Sequence, residues 1–224
     1  MNTTVKDVMS THVFAAREGA SFKEIATRLH ELRVSAFPVI DLDGRVIGVV
    51  SESDLLPKEA LEGTVPGVLH SLGHSREQSR ITALTAADLM TKPPVTIGPD
   101  ELVTRAARLM YNFRVKRLPV TSDDGRLIGI VTRSDVLSVY RRPDAEIQHE
   151  ITQGLILDTF LCDPARFTVT VKDGIVTIEG TPETATVGRD IIAAARHAEG
   201  VVAVRDRLSY PANPPYRPGP GPLF

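Results

Sequence analysis

The chain has 224 residues, of which 42% are hydrophobic and 24% charged, with a formal net charge of -2 and one cysteine, Cys162. That balance excludes a global basic field of the kind that holds nucleic acid, and a lone cysteine excludes an intramolecular disulfide or a thiolate metal cage. There is apolar material for one large core or two small ones, no apolar run reaches the ~20 residues needed to span a bilayer, and Met1–Asp7 lacks a basic start followed by an apolar stretch, so the chain reads as cytoplasmic.

Along the chain, the first 140 residues contain one unit written twice. A shift of 81 residues superimposes Thr4–Leu56 on Thr85–Leu137 without a gap, with 17 of 53 positions identical. Asp7-Val8-Met9 returns as Asp88-Leu89-Met90, and Asp43-Gly44-Arg45 returns as Asp124-Gly125-Arg126. Short units repeated in this way usually bury their apolar faces against each other, forming one body with two equivalent clefts.

Each copy reads as strand, helix, hairpin, helix. The early strands fall near Ala15 and Thr96. Phe22, Ile25, Ala26, Leu29 and Leu32 recur at helical spacing, as do Val103, Ala106, Ala107, Met110 and Phe113. Next come the apolar strands Phe37 to Ile40 and Leu118 to Thr121, then an Asp-Gly turn, then Val46 to Val50 and Leu127 to Val131. Ser51-Glu52-Ser53-Asp54 and Thr132-Arg133-Ser134-Asp135 follow, each a hydroxyl residue three positions before an acid at the start of a helix. That spacing is ordinary helix-capping chemistry. Here, though, a Gly-led strand in both copies also delivers a hydroxyl, free helix N–H groups and a carboxylate to one spot. Such a set suits phosphate and ribose.

The segment between the copies, residues 61–84, is a connector expected to include a helical piece. Its His70 and His74 stand four apart but have no third ligand at metal-site spacing. From Asp144 the pattern changes. Ile147, Ile151, Leu155 with Ile156, and Phe160 predict an amphipathic helix closed by Asp163-Pro164. Phe167, Val169 and Val171 alternate with polar residues, and an Asp173-Gly174 turn leads into Ile175–Gly180, predicting a hairpin. Thr181-Pro182-Glu183 predicts a helix start, Gly200 a stop, and Val201–Leu208 a last strand. Cys162 is expected to pack rather than react. The tail 211–224 holds six prolines and reads as disordered or polyproline-like.

The repeat resembles a tandem pair of CBS (cystathionine beta-synthase type) domains. The residues that carry this are the two copy starts, Arg33-Val34-x-x-x-Pro38-Val39 with Arg114-Val115-x-x-x-Pro119-Val120, and Gly48-Val49-Val50-Ser51-x-x-Asp54 with Gly129-Ile130-Val131-Thr132-x-x-Asp135. The C-terminal order, with Val169-x-Val171-x-Asp173-Gly174-x-Val176-x-Ile178-x-Gly180, resembles the BON domain. The implied fold is mixed α/β (α+β), with two β-α-β-β-α repeats in one pseudo-twofold module and a small α-β-β-α-β domain. The expected divisions are 1–60, 61–84, 85–141, 142–210 and 211–224.

The CBS resemblance implies an adenosine-derived regulatory ligand (AMP, ADP, ATP or S-adenosylmethionine), no catalytic cofactor, and association as a homodimer. It places Asp54 and Asp135 at ribose and Ser51 and Thr132 at ribose or phosphate. Ala36 and Phe37, before and at the apolar strand, would line the adenine pocket with Ala15 and Thr96. Arg133, Lys116 and Arg117 replace Glu52, Ser35 and Ala36 of the first copy, so the Thr132–Asp135 cleft is expected to hold phosphate more tightly. The BON resemblance implies an unknown protein or membrane-surface partner. Together these favour a non-catalytic ligand sensor, with a ligand-independent adaptor as the alternative and an enzyme last, since no nucleophile, base and orienting group converge.

Overall fold

Both copies of the repeat form the helices that their apolar spacing predicts, but their sheets differ. The computed structural model describes residues 3–61 and 84–210; the connector with His70 and His74, and the Pro-rich tail, lie outside the described residues. In the first copy the order is α1 (Val5–Val8), β1 (Ala16–Arg17), α2 (Phe22–Glu31), β2 (Ala36–Ile40), β3 (Val46–Ser51) and α3 (Glu52–Leu61). In the second it is α4 (Ala86–Leu89), α5 (Val103–Asn112), β4 (Arg117–Thr121), β5 (Leu127–Thr132) and α6 (Arg133–Val136). The opening turns α1 and α4 were not anticipated by hydrophobic periodicity, because one helical turn is too short to show a period.

In the first copy β1 runs parallel to β2, which pairs antiparallel with β3. In the second, the early strand near Thr96 shrinks to a single parallel bridge between Ile97 and Val120, leaving the β4–β5 hairpin. Both hairpins shift register at the equivalent place, between Val39 and Ile40 and between Val120 and Thr121. Leu29, Phe37, Val39 and Val50 are buried beside Ala86, Leu89 and Met90 of the second copy, so the core of one copy is closed by residues of the other. Burying an aliphatic side chain of this size contributes about 1.5–3 kcal/mol relative to exposure.

Backbone exchange gives the pair its pseudo-twofold character. Ser10 bridges Ile130, and Thr91 bridges Val49, so the start of each copy pairs with the last strand of the other. The hairpin tips also exchange bonds, Val46 N–H to Gly125 O at 3.0 Å and Leu127 N–H to Gly44 O at 3.0 Å. These contacts belong to a compact unit spanning Thr3–Val136; a second unit begins at Leu137.

In the second unit α7 (Asp144–His149) continues as a π-helix over Glu150–Thr159, where a single amphipathic α-helix was predicted. The buried residues explain the change. Ile147 and Ile151 are four apart, but Ile151 and Ile156 are five apart, and all three are fully buried. A wider turn with i to i+5 bonding keeps that five-residue step on one face. The helix ends at Thr159 rather than at Asp163, whose carboxylate instead caps the short 3₁₀ turn Pro164–Arg166 through Ala165 N–H at 2.9 Å.

The predicted hairpin forms as β6 (Phe167–Lys172) and β7 (Ile175–Gly180), and β8 (Ala203–Leu208) joins β7 in parallel. The next helix, α8 (Ala185–Ala195), starts three residues later than a cap at Thr181 predicts. Its cap is Thr184, whose hydroxyl accepts Val187 N–H at 3.2 Å. Val169, Val176, Ile178, Ile191 and Ala195 form a core with the first helix, and Cys162 is buried in it.

Candidate functional site

The strand-to-helix junctions at Ser51 and Thr132 have nearly identical geometry. Asp54 Oδ2 accepts Ser51 N–H at 2.8 Å and the Ser51 hydroxyl at 2.7 Å; Asp135 Oδ2 accepts the same two groups of Thr132 at 2.8 and 2.7 Å. The carboxylate bond to the Ser51 or Thr132 N–H is the one a capping box predicts, whereas the hydroxyls donate to the carboxylates, and that of Thr132 also accepts a helix N–H, from Asp135 at 3.4 Å. The same device opens each copy, Asp7 Oδ2 on the hydroxyl of Thr4 at 2.6 Å and Asp88 Oδ2 on that of Thr85 at 2.8 Å. A hydroxyl donating to an acid three residues on therefore occurs four times among the described residues, and spacing alone does not separate a ligand site from a cap. Environment does: Asp7 and Asp88 sit on exposed turns, whereas Asp54 is only 5% exposed and is the one buried charged residue among the described residues. The Thr4 and Thr85 hydroxyls, with backbone N–H groups, hold the Asp7 and Asp88 carboxyls below the usual carboxylate range.

Ser51 and Asp54 open onto a cavity of about 510 Å³ whose walls come from both copies. Ala36, Ser51 and Asp54 line it from the first copy, Lys116 and Arg117 from the second. Arg117 begins β4, yet its guanidinium reaches the first copy, with Nη2 donating to Ser35 Oγ at 2.7 Å and Nη1 to Ala36 O at 3.1 Å. Its Nε is buried without a hydrogen-bond partner. Burial works against the charged form of this side chain, and neighbouring Glu52 partly offsets that.

By sequence, Lys116 and Arg117 group with Thr132 and Asp135 because all four belong to the second copy. The fold sets them instead on the wall of the Ser51–Asp54 cavity, because the starts of β2 and β4 meet across the pair. Thr132, Asp135, Arg133 and Thr96 do not line this cavity, and Arg133 Nε donates to Val115 O at 3.2 Å. Ala15 and Phe37 border a separate cavity of about 270 Å³, with Arg17, Glu24 and Arg28. Phe113, Arg114 and the run Pro93-Pro94-Val95 also line the larger cavity and were not singled out as site residues. The Pro-Pro step, absent from the first copy, was the available signal for an extended wall.

Chemically, the larger cavity combines the buried Asp54 carboxylate, the Ser51 hydroxyl and Glu52 with three second-copy cations, Arg114, Lys116 and Arg117, a set able to bind a polar, phosphate-bearing molecule. Among the described residues no group of three His, Cys, Asp or Glu side chains could hold a metal ion, and no helix is long and apolar enough to cross a membrane.

Comparison with known proteins agrees with this architecture. The CBS domain model matches residues 5–59 and 86–142, and the BON domain model matches 143–212. An uncharacterized protein of Methanocaldococcus jannaschii is 28% identical over 149 residues, covering 59% of this chain and 88% of that one. The chloroplastic CBS domain-containing protein CBSX2 of Arabidopsis thaliana is 31% identical over 147 residues, 60% of this chain and 62% of its own length. A crystal structure of CBSX2 in complex with AMP superimposes with a TM-score of 0.53 at 32% identity, covering 60% of this chain and 94% of that one. With half of its length matched as CBS domain and the following segment as BON domain, this chain belongs to the CBS-domain family, as a tandem CBS pair followed by a BON domain.

Proposed function

We propose that this protein is a non-catalytic sensor whose CBS pair binds an adenosine-derived ligand in the 510 Å³ cavity, with the BON domain as its output or attachment module. The observation that carries the reading is the meeting, on one wall, of the Ser51–Asp54 pair with Lys116 and Arg117. In this reading Asp54 accepts from ribose hydroxyls, Ser51 approaches ribose or phosphate, and the two cations face phosphate. The crystal structure of the similar CBSX2 with AMP supports an adenosine ligand for this fold. The protein acts in the cytoplasm as a dimer, and its BON domain meets a protein or a membrane surface.

Calorimetric titration of the full chain with AMP, ADP, ATP and S-adenosylmethionine tests this. Saturable binding of at least one ligand is expected, weakened about tenfold or more in Asp54→Ala, the loss of one hydrogen bond from a charged acceptor. Absence of both heat and thermal stabilisation with all four would defeat the reading and leave the ligand-independent adaptor. Light scattering with and without ligand tests the dimer.

A further inference from the structure

We propose that Arg114 is an anion-binding residue of the Ser51–Asp54 cavity, held at a backbone position that glycine fits better. Helix α5 ends in a Schellman motif: Arg114 N–H bonds to Tyr111 O at 3.3 Å and Val115 N–H to Met110 O at 3.1 Å. The motif requires a left-handed residue, and Arg114 fills it at φ 55°. The first copy repeats this at Arg33, φ 51°, with Arg33 N–H on His30 O at 3.2 Å and Val34 N–H on Leu29 O at 3.1 Å. Glycine is the usual occupant because a Cβ is crowded there. Because Arg33 and Arg114 share this backbone, what each side chain does is set by its surroundings.

For Arg114 the surroundings supply an anion-binding role. It borders the cavity beside Lys116 and Arg117, is exposed, and forms no ion pair among the described residues. A guanidinium presents a planar fork of donors that matches two phosphate oxygens. Arg33 has the same backbone but does not line this cavity. The pair therefore separates the backbone effect from the ligand effect. The inference rests on the proposed adenosine-ligand reading and adds that the ligand of this cavity carries a phosphate gripped by Arg114.

The test is titration of wild type, Arg114→Gly and Arg33→Gly with AMP and with adenosine, alongside thermal melts. Glycine suits the left-handed position, so both variants are expected to fold, with Tm unchanged or raised. Arg114→Gly should weaken AMP about tenfold or more, as expected for one charge-assisted contact, while adenosine stays within about twofold. Arg33→Gly should leave AMP within about twofold. Equal losses for AMP and adenosine in Arg114→Gly, or AMP affinity retained, would overturn the inference while the adenosine-ligand reading stands. Failure of wild type to bind AMP would overturn the inference, and failure with ADP, ATP and S-adenosylmethionine as well would overturn the adenosine-ligand reading.

Discussion

Met90 occupies the space that a side chain at Gly48 would need: a methyl group on Gly48 would lie 2.8 Å from Met90 Cγ and 2.9 Å from Met90 Cβ. Met9 stands in the same relation to Gly129, where a methyl group would fall 2.6 Å from its sulfur and 3.2 Å from Ser10 O. Each copy's opening methionine is thus seated on the other copy's last strand. Gly48→Ala should destabilise the pair by about 1–3 kcal/mol, the usual range for overpacking. Gly129→Ala should cost less, because the sulfur it meets is the mobile end of its side chain. Chemical denaturation of both variants checks the order; equal stability of Gly48→Ala and wild type would contradict it.

The exposed caps predict an acid limb. The Asp88 carboxyl is held below its ordinary value chiefly by the Thr85 hydroxyl, then by Leu84 and Thr85 N–H groups. A depressed folded-state value stabilises the fold above the unfolded carboxyl's pKa of about 4, and the contribution disappears as pH falls through the lower folded value. Urea midpoints of wild type and Asp88→Ala should therefore differ at pH 7 and converge toward pH 2. A constant difference across that range would show that charge is not the cause.

Asp144 ties the first helix of the BON unit to the β6–β7 turn. Its Oδ2 accepts Asp173 N–H at 2.8 Å and its Oδ1 accepts Gly174 N–H at 2.9 Å. Asp144→Ala removes both acceptors and is expected to cost about 1–3 kcal/mol. Hydrogen exchange should locate the change: the amides of Asp173 and Gly174 should exchange faster, and unchanged rates there would refute the tie.

Cys162 should be inert in the folded protein. It is 5% exposed, and burial pushes its thiol above the ordinary cysteine range, lowering the thiolate fraction that reacts. Labelling with a thiol reagent at pH 8 should be slow in native protein and fast in denaturant. Rapid native labelling would show that this part of the core opens.

At the BON unit's first helix, hydrophobic spacing sets the buried face but not the winding of the backbone. Ile147, Ile151 and Ile156 marked the buried face correctly, yet whether a five-residue step is absorbed by an α-helix or a π-helix depends on what packs against it. Likewise Thr181-Pro182 has the composition of a helix start, but the chain begins its turn at Thr184, where the hydroxyl meets Val187 N–H. Local composition offered two caps, and packing chose between them.

From the sequence by itself came the repeat, the apolar faces of its helices, both Asp-Gly hairpins and the hydroxyl-to-acid spacing at Ser51–Asp54 and Thr132–Asp135, because each depends on residues within a few positions of one another; the matching caps at Thr4–Asp7 and Thr85–Asp88 emerged only with the structure. Only the tertiary structure decided which groups share a cavity. Lys116 and Arg117 follow one helix in sequence yet line the wall with Ser51 and Asp54, because the two copies pair about a pseudo-twofold and the start of β4 lies against Ser35 and Ala36. Contacts made across 81 residues depend on how strands pair and cores close, and no local spacing records them.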